Sequence, residues 1–302
     1  MGPYIEQCLK SIAMQTYRLF EIILIDDGSS DDSYKICLQF KTEWPEIDIT
    51  IFRKENEGVS AARKDGIRLA KGEWITFVDG DDTLLPESLL SLISAAKPNT
   101  GIVLGAHCKN YPGGEIKFFP NMSLGKFSAF EYIKINLRGA FEGAPWAKLF
   151  KKEVLTDYVF DLPREIKNKE DFIMNMRIAV TQQFDVVFIE DPVYCYLYNR
   201  NDSALTQYQG VFKLDYELRV LDYLIQALKD ANYYNNLKND IANMYLRNVW
   251  GWRKNIGRLN ASEINNYMRI CMFILKYGFD MVSLLKISFI FLLFLKRRAA
   301  LC

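Results

Sequence analysis

The sequence is nearly without histidine: His107 is its only one among 302 residues. A zinc site built from several imidazoles is excluded, and a serine–histidine–acid relay has one candidate base. His107 follows the apolar, strand-like run "GIVLGAHC", so it reads as structural. Net charge is scarce too, at +1 from 38 basic and 37 acidic side chains, and no global field gathers nucleic acid. Six cysteines, Cys8, Cys37, Cys108, Cys195, Cys271 and Cys302, contain no C-x-x-C pair. That pattern suits reduced thiols in a cytosolic chain better than a disulfide frame. Long apolar runs are missing: Ile287 to Leu295 falls short of the about 20 residues that a spanning helix needs.

What is present is an alternation of strand-like and helix-like segments. "PYIEQCLKSIAMQ" carries Ile5, Cys8, Leu9 and Ile12 on one helical face, and "FEIILID" is a short apolar strand ending in acid. "DITIFR" is the next strand, "GVSAARKDGIRLAKG" a helix closed by Gly72, and "EWITFVD" a third strand. This order predicts an α/β fold with an open, mostly parallel central sheet, whose ligands lie beyond the carboxyl ends of the strands. Asp26, Asp27, Asp79 and Asp81 all fall there. After Thr206 the pattern turns to long helical periodicity, which sets the expected division at 1–206 and 207–302.

The stretch "WITFVDGDDTLLP" carries the chemistry. Three carboxylates, Asp79, Asp81 and Asp82, surround one glycine at the end of a buried-type strand, and their mutual repulsion needs a cation, a sugar hydroxyl or water to offset it. Magnesium and manganese prefer carboxylate and phosphate oxygens, and a D-x-D after a strand suits an ion shared with substrate phosphates. A D-x-D alone is more often a solvated acidic turn.

"FEIILIDDGSSDDS", "NEGVSAARKDGIRLAKGEWITFVDGDDTLLP" and "KEDFIMNMRIA" together resemble, in order, the motifs of the family 2 glycosyltransferases. The resemblance implies a GT-A fold with a C-terminal helical region, a nucleotide-sugar donor and transfer with inversion. "PWAKLFKKEVL" and "PVYCYLYNRNDSALT" are similar to the members that build bacterial surface polysaccharides. Carried across by position, Asp27 accepts from the uracil ring, with Asp26 shaping that pocket, which favours UDP-sugars; capping the next helix is the alternative for both. Arg63 lies near the donor or is a surface ion-pair partner. Asp79 matches the ribose-contacting acid, Asp81 the ligand of Mg²⁺ or Mn²⁺, and Asp82 an acid that orients it within the nucleotide-sugar site. Asp171 matches the catalytic base that takes the acceptor hydroxyl's proton, with Glu170 its rival. Trp146 is a candidate to stack on an acceptor sugar or a core residue, and Arg200 a candidate contact to the diphosphate or a solvated arginine.

The resemblance departs at the beginning. Family members open with an apolar strand that lies between the strands "FEIILI" and "EWITFV", and here only "MG" precedes the first helix. Two strands with unpaired edges, and a catalytically impaired nucleotide-sugar binder, are the expectation if the chain starts there. At the other end, the apolar run followed by Lys296, Arg297 and Arg298 fits a helix lying in the inner-leaflet interface, or one buried on its neighbours. A cytoplasmic enzyme, peripheral on the inner face of the plasma membrane and acting on a saccharide or polyprenyl-linked saccharide, is the combined expectation.

Overall fold

The computed structural model describes residues 2–111, 113–119, 124–139, 143–163, 166, 169–181, 183–198, 214–252, 261–277 and 287. Arg200, Lys296, Arg297 and Arg298 lie outside them. The chain divides into two compact units, Met1–Tyr132 with Gly143–Gln209, and Ile133–Glu142 with Gly210–Cys302.

The first unit opens with α1 (Gly2–Ala13), whose Ile5, Cys8, Leu9 and Ala13 recur at helical spacing and are buried. β1 (Glu21–Asp27), α2 (Ser33–Glu43), β2 (Asp48–Lys54) and α3 (Val59–Leu69) follow. β1 and β2 pair in parallel from Glu21 opposite Asp48 to Asp27 opposite Lys54. Ile22, Cys37, Phe40 and Ile49 join the buried face of α1 in one core cluster. The third expected strand pairs only at Trp74–Ile75, here β3. Then come α4 (Ser88–Ala95), β4 (Thr100–Asn110), β5 (Ile116–Phe119), β6 (Gly125–Ser128) and α5 (Ala129–Leu137). After them stand β7 (Lys148–Lys151), the short α6 (Asp157–Phe160), α7 (Glu170–Thr181) and β8 (Asp185–Leu197).

The strands form two sheets: β1–β2, and β3-β7-β4-β8-β6 with β5 on β4. β4 and β8 run parallel, while β7, β5 and β6 add antiparallel pairs. β1 and β3 therefore carry no ladder between them among the described residues. Ile23, Leu24 and Ile25 of β1, and Thr76, Phe77 and Val78 after β3, are only half-buried in consequence. The core of the larger sheet gathers Leu92, Val103, Leu149, Val193 and Tyr194.

The second unit holds α8 (Leu214–Asp230), α9 (Tyr234–Trp252) and α10 (Ala261–Tyr277). Leu224 and Leu228 of α8, Leu237 and Ile241 of α9, and Tyr267 and Ile274 of α10 are buried at the spacing of one helical face. Ile287, the one described residue of the tail, is buried as well. Among the described residues no helix is long and apolar enough to cross a membrane.

Candidate active site

The site is assembled at the carboxyl ends of β1 and the third strand and at the entry of α7. β1 ends in Asp26 and Asp27, whose carboxylates do different work. Asp26 Oδ1 accepts from the Ser29 amide at 2.9 Å and Oδ2 meets Arg53 Nε at 3.1 Å, while the Arg53 guanidinium lies 4.5 Å from the centre of the Tyr34 ring. Asp27 binds the loop before α3: its Oδ1 and Oδ2 accept from the amides of Glu57 and Gly58 at 2.9 and 2.8 Å. Gly28 makes this approach possible, because its φ is +75° and a Cβ there would stand 2.9 Å from the Asn56 nitrogen. Asp27 thus fixes the start of α3, and with it Arg63 one turn further on. Each carboxylate oxygen has a second lone pair for a ligand N–H.

Arg63 is the hub. Its Nη1 pairs with Asp171 Oδ1, its Nη2 lies 3.7 Å from Asp79 Oδ1, and its guanidinium sits 5.9 Å from the centre of the Phe77 ring. Only 10% of the side chain is exposed, so this charge is held away from water and needs its two acids. Residues 63, 79 and 171, far apart in sequence, are thereby brought to one place. Burial pushes Asp79 up to about 6 against the pull of Arg63, and Asp171 and Asp81 add repulsion; the 40% of its side chain still exposed lets water temper that shift. Glu170 is pushed up by burial and by Asp171 beside it.

Asp82 stands apart from the other acids. It is 1% exposed; Oδ2 accepts from the Tyr194 hydroxyl and Oδ1 from the Leu197 amide, each at 2.8 Å. The Tyr194 hydroxyl in turn accepts from the Asp79 amide at 3.1 Å. Burial pushes Asp82 up to about 8, against the lowering effect of the Leu197 amide. Asp82, expected to orient Asp81, is a sealed carboxylate that contacts no ligand directly and ties the acidic turn to β8 through Tyr194 and Leu197. Of the two alternatives for Trp146, acceptor stacking and core, its surroundings favour the second. It is 8% exposed and stacks on Tyr194 and Tyr196 with ring centres 5.0 and 5.8 Å apart, so it belongs to the core and offers no surface to an acceptor sugar.

Two residues of consequence escaped the sequence reading. Tyr194 is one. Asn175 is the other: its Nδ2 donates to the carbonyls of Gly143 and Asp171 at 2.6 and 2.9 Å, and its Oδ1 accepts from Tyr132 at 2.9 Å. Asn175 stands one helical turn after Asp171, and an amide at that spacing behind an acid pair was the available signal.

The acids also fit a divalent ion. Asp79, Asp81, Asp171 and Glu170 all act on one another or on the single guanidinium of Arg63, so negative charge exceeds the positive charge beside it. Among the described residues no three His, Cys, Asp or Glu side chains form a ready cage. Hard oxygen donors in excess, without a closed cage, suit Mg²⁺ or Mn²⁺ shared with a substrate's phosphates.

The parallel β1–β2 pair, the acid-tipped third strand and the mixed sheet behind it define a GT-A transferase fold. Residues 2–159 match the description "Glycosyl transferase family 2", and the chain belongs to that family. Glycosyltransferase GlyG of Streptococcus pneumoniae is 25% identical over 290 residues, 92% of this chain and 93% of its own. The poly(ribitol-phosphate) beta-glucosyltransferase of Bacillus spizizenii is 31% identical over 195 residues, 61% of this chain but only 30% of that longer one. Among solved structures, S. aureus TarS 1–349 in complex with UDP-GlcNAc superposes with a TM-score of 0.69 at 17% identity, covering 90% of this chain and 77% of that one.

Proposed function

We propose that the chain is a metal-dependent, inverting glycosyltransferase. It moves a sugar from a UDP-sugar to a saccharide or lipid-linked saccharide in the assembly of cell-surface polysaccharide. One observation carries the reading: the Arg63 guanidinium spans Asp79 and Asp171, so the acid of a D-x-D turn and the acid at the entry of α7 face a common charge. The similarity to a glucosyltransferase named for a poly(ribitol-phosphate), and to a fold seen with UDP-GlcNAc, supports the donor and acceptor classes.

In this reading Asp26 and Asp27 line the uracil end and Asp79 meets the ribose. Asp171 accepts the acceptor hydroxyl's proton at its carboxylate as the new C–O bond forms in line with the one that breaks. Arg63 orients Asp171 through Oδ1 and exchanges part of that contact for the donor diphosphate. A divalent ion at Asp81 would, when bound, offset the charge that gathers on the departing diphosphate. The second unit and the tail are the parts that meet the acceptor or the inner membrane surface.

The test is UDP release from a panel of UDP-sugars with saccharide acceptors. Asp171→Asn is expected to lower turnover by about 100-fold or more while keeping UDP binding. Asp81→Ala is expected to lose Mn²⁺-dependent UDP binding as well, by calorimetry. Unchanged turnover in both variants ends the reading. A second reading, a nucleotide-sugar binder without turnover, is favoured by the parted sheet beside Asp27 and Asp79; UDP binding with no release on any acceptor would establish it instead.

A further inference from the structure

Cys108 on β4 and Cys195 on β8 are register partners on adjacent parallel strands. Such strands lie about 4.7–4.9 Å apart, inside the roughly 4.4–6.8 Å Cα separation that a disulfide spans. Register partners on neighbouring strands carry their side chains on the same face of the sheet, so the two thiols stand side by side. Cys108 is buried at 2% exposure, whereas Cys195 is partly exposed. The remaining described cysteines, Cys8, Cys37 and Cys271, are buried without this pairing.

The neighbourhood gives the pair a consequence. Cys195 exchanges both backbone hydrogen bonds with Thr83, its amide donating to the Thr83 carbonyl at 2.8 Å and its carbonyl accepting from the Thr83 amide at 3.1 Å. Thr83 directly follows the acidic turn. The residues on either side of Cys195 complete the support, since Tyr194 and Leu197 hold Asp82 and Tyr194 also holds the Asp79 amide. One segment of β8 therefore holds the turn at Asp79, Asp82 and Thr83.

We propose that Cys108 and Cys195 form a reversible disulfide, a redox modification site whose closure shifts the β8 segment and loosens the Asp79–Thr83 turn. A peroxide is the oxidant. The Cys195 sulfur attacks one peroxide oxygen, an S–O bond forms, the O–O bond breaks and the first water leaves. The Cys108 sulfur then attacks the Cys195 sulfur; S–S forms, S–O breaks, and the Cys108 proton leaves with the hydroxide as a second water. Two thiols are oxidised and one peroxide is reduced to two waters. The asymmetry of the pair favours this order: the Cys108 thiol and the Thr83 hydroxyl, donating to Cys195, hold Cys195 below the usual thiol range, and Cys108 is held above it. The bond itself does not depend on the proposed function; its effect on transfer rests on that reading.

The experiment treats the full chain with hydrogen peroxide, blocks free thiols by alkylation and maps the unreduced digest by mass spectrometry. A peptide pair joining Cys108 to Cys195, released by dithiothreitol and absent from Cys108→Ser and Cys195→Ser, is expected. Both cysteines still alkylated, linked elsewhere, or Cys195 recovered as sulfinic acid would overturn the proposal. Hydrogen exchange supplies the second readout: amides of the Asp79–Thr83 turn are expected to exchange about tenfold faster in the oxidised protein. Unchanged exchange with the disulfide mapped would overturn the switch. If the bond forms and the turn loosens while the reduced protein binds no UDP, the switch stands and the donor-site reading falls.

Discussion

At the scale of single residues, the acids of one short turn are sorted by burial rather than by type. Asp79 keeps one side open beside Arg63, whereas Asp82 is sealed against Tyr194 and Leu197. The sealed one has a measurable signature. Its folded value of about 8 lies above the ordinary 3.8, so the folded chain keeps a proton that the unfolded chain releases between those limits. Stability from this group is therefore present below about pH 4 and lost as pH rises through about 8. In the metal-free protein the unfolding midpoint should fall over that window by more than it does for Asp82→Asn, whose amide cannot titrate; parallel curves would contradict the burial argument. Arg63→Ala removes the one cation shared by Asp79 and Asp171, and should lower transfer at least as much as it lowers stability, read as turnover against thermal midpoint. The residue types and order of Asp27, Arg63, Asp79 and Asp171 were legible in the sequence, because chemistry at strand ends and helix starts is local. The inward turn of Asp82 and the stacking of Trp146 were not. Both are set by β8, a partner more than 40 residues away in the chain.

At the scale of elements, the entry of α7 is built under strain. Lys169 adopts φ +68°, a left-handed conformation that costs a side-chain-bearing residue about 1 kcal/mol or more, immediately before Glu170 and Asp171. Its carbonyl accepts from the Ile173 amide at 3.1 Å, and Asn175 clamps the same turn to Gly143 and Tyr132. Asn175→Ala would remove three hydrogen bonds, from the Tyr132 hydroxyl and to the Gly143 and Asp171 carbonyls, and should cost about 2 kcal/mol or more in thermal unfolding. A loss within 0.5 kcal/mol would show that the turn holds without it. β8 escaped detection for a related reason. Its pairing with β4 jumps from Leu104 opposite Phe188 to Ala106 opposite Pro192, so Ile189, Glu190 and Asp191 bulge out just before Pro192 and break the alternation by which a strand is read. Pro192 has no N–H to give, and a bulge is where a strand tolerates it. β1 and β4 were legible as apolar runs, and β2 as a short stretch rich in Ile and Phe between charged residues.

At the scale of the whole chain, the parted sheet is the feature with the largest energetic reach. Among the described residues β4 is paired on both sides, while β1 is paired only with β2 and the third strand only over Trp74–Ile75. Among the described residues, no strand pairs with the far edge of β1 or with Thr76 to Val78. A buried unsatisfied group costs about 1 to 3 kcal/mol against a domain stability of about 5 to 15, so a row of them is tolerable only if water enters. The half-buried state of Ile23, Leu24, Ile25, Phe77 and Val78 is the counterpart: admitting water leaves apolar surface wet at about 25 cal/mol per Å². Hydrogen exchange should therefore be faster across β1 and Thr76–Val78 than across β4, and an apolar strand fused ahead of Gly2 should slow it in both segments while raising the thermal midpoint. Asp27 and Asp79, which the proposed function sets at the uracil and the ribose, end the two strands that border this gap, so on that proposal the same fusion should tighten UDP binding. Protection in β1 equal to that in β4, with no response to the added strand, would mean that the two sheets close on each other and that the gap has no energetic weight.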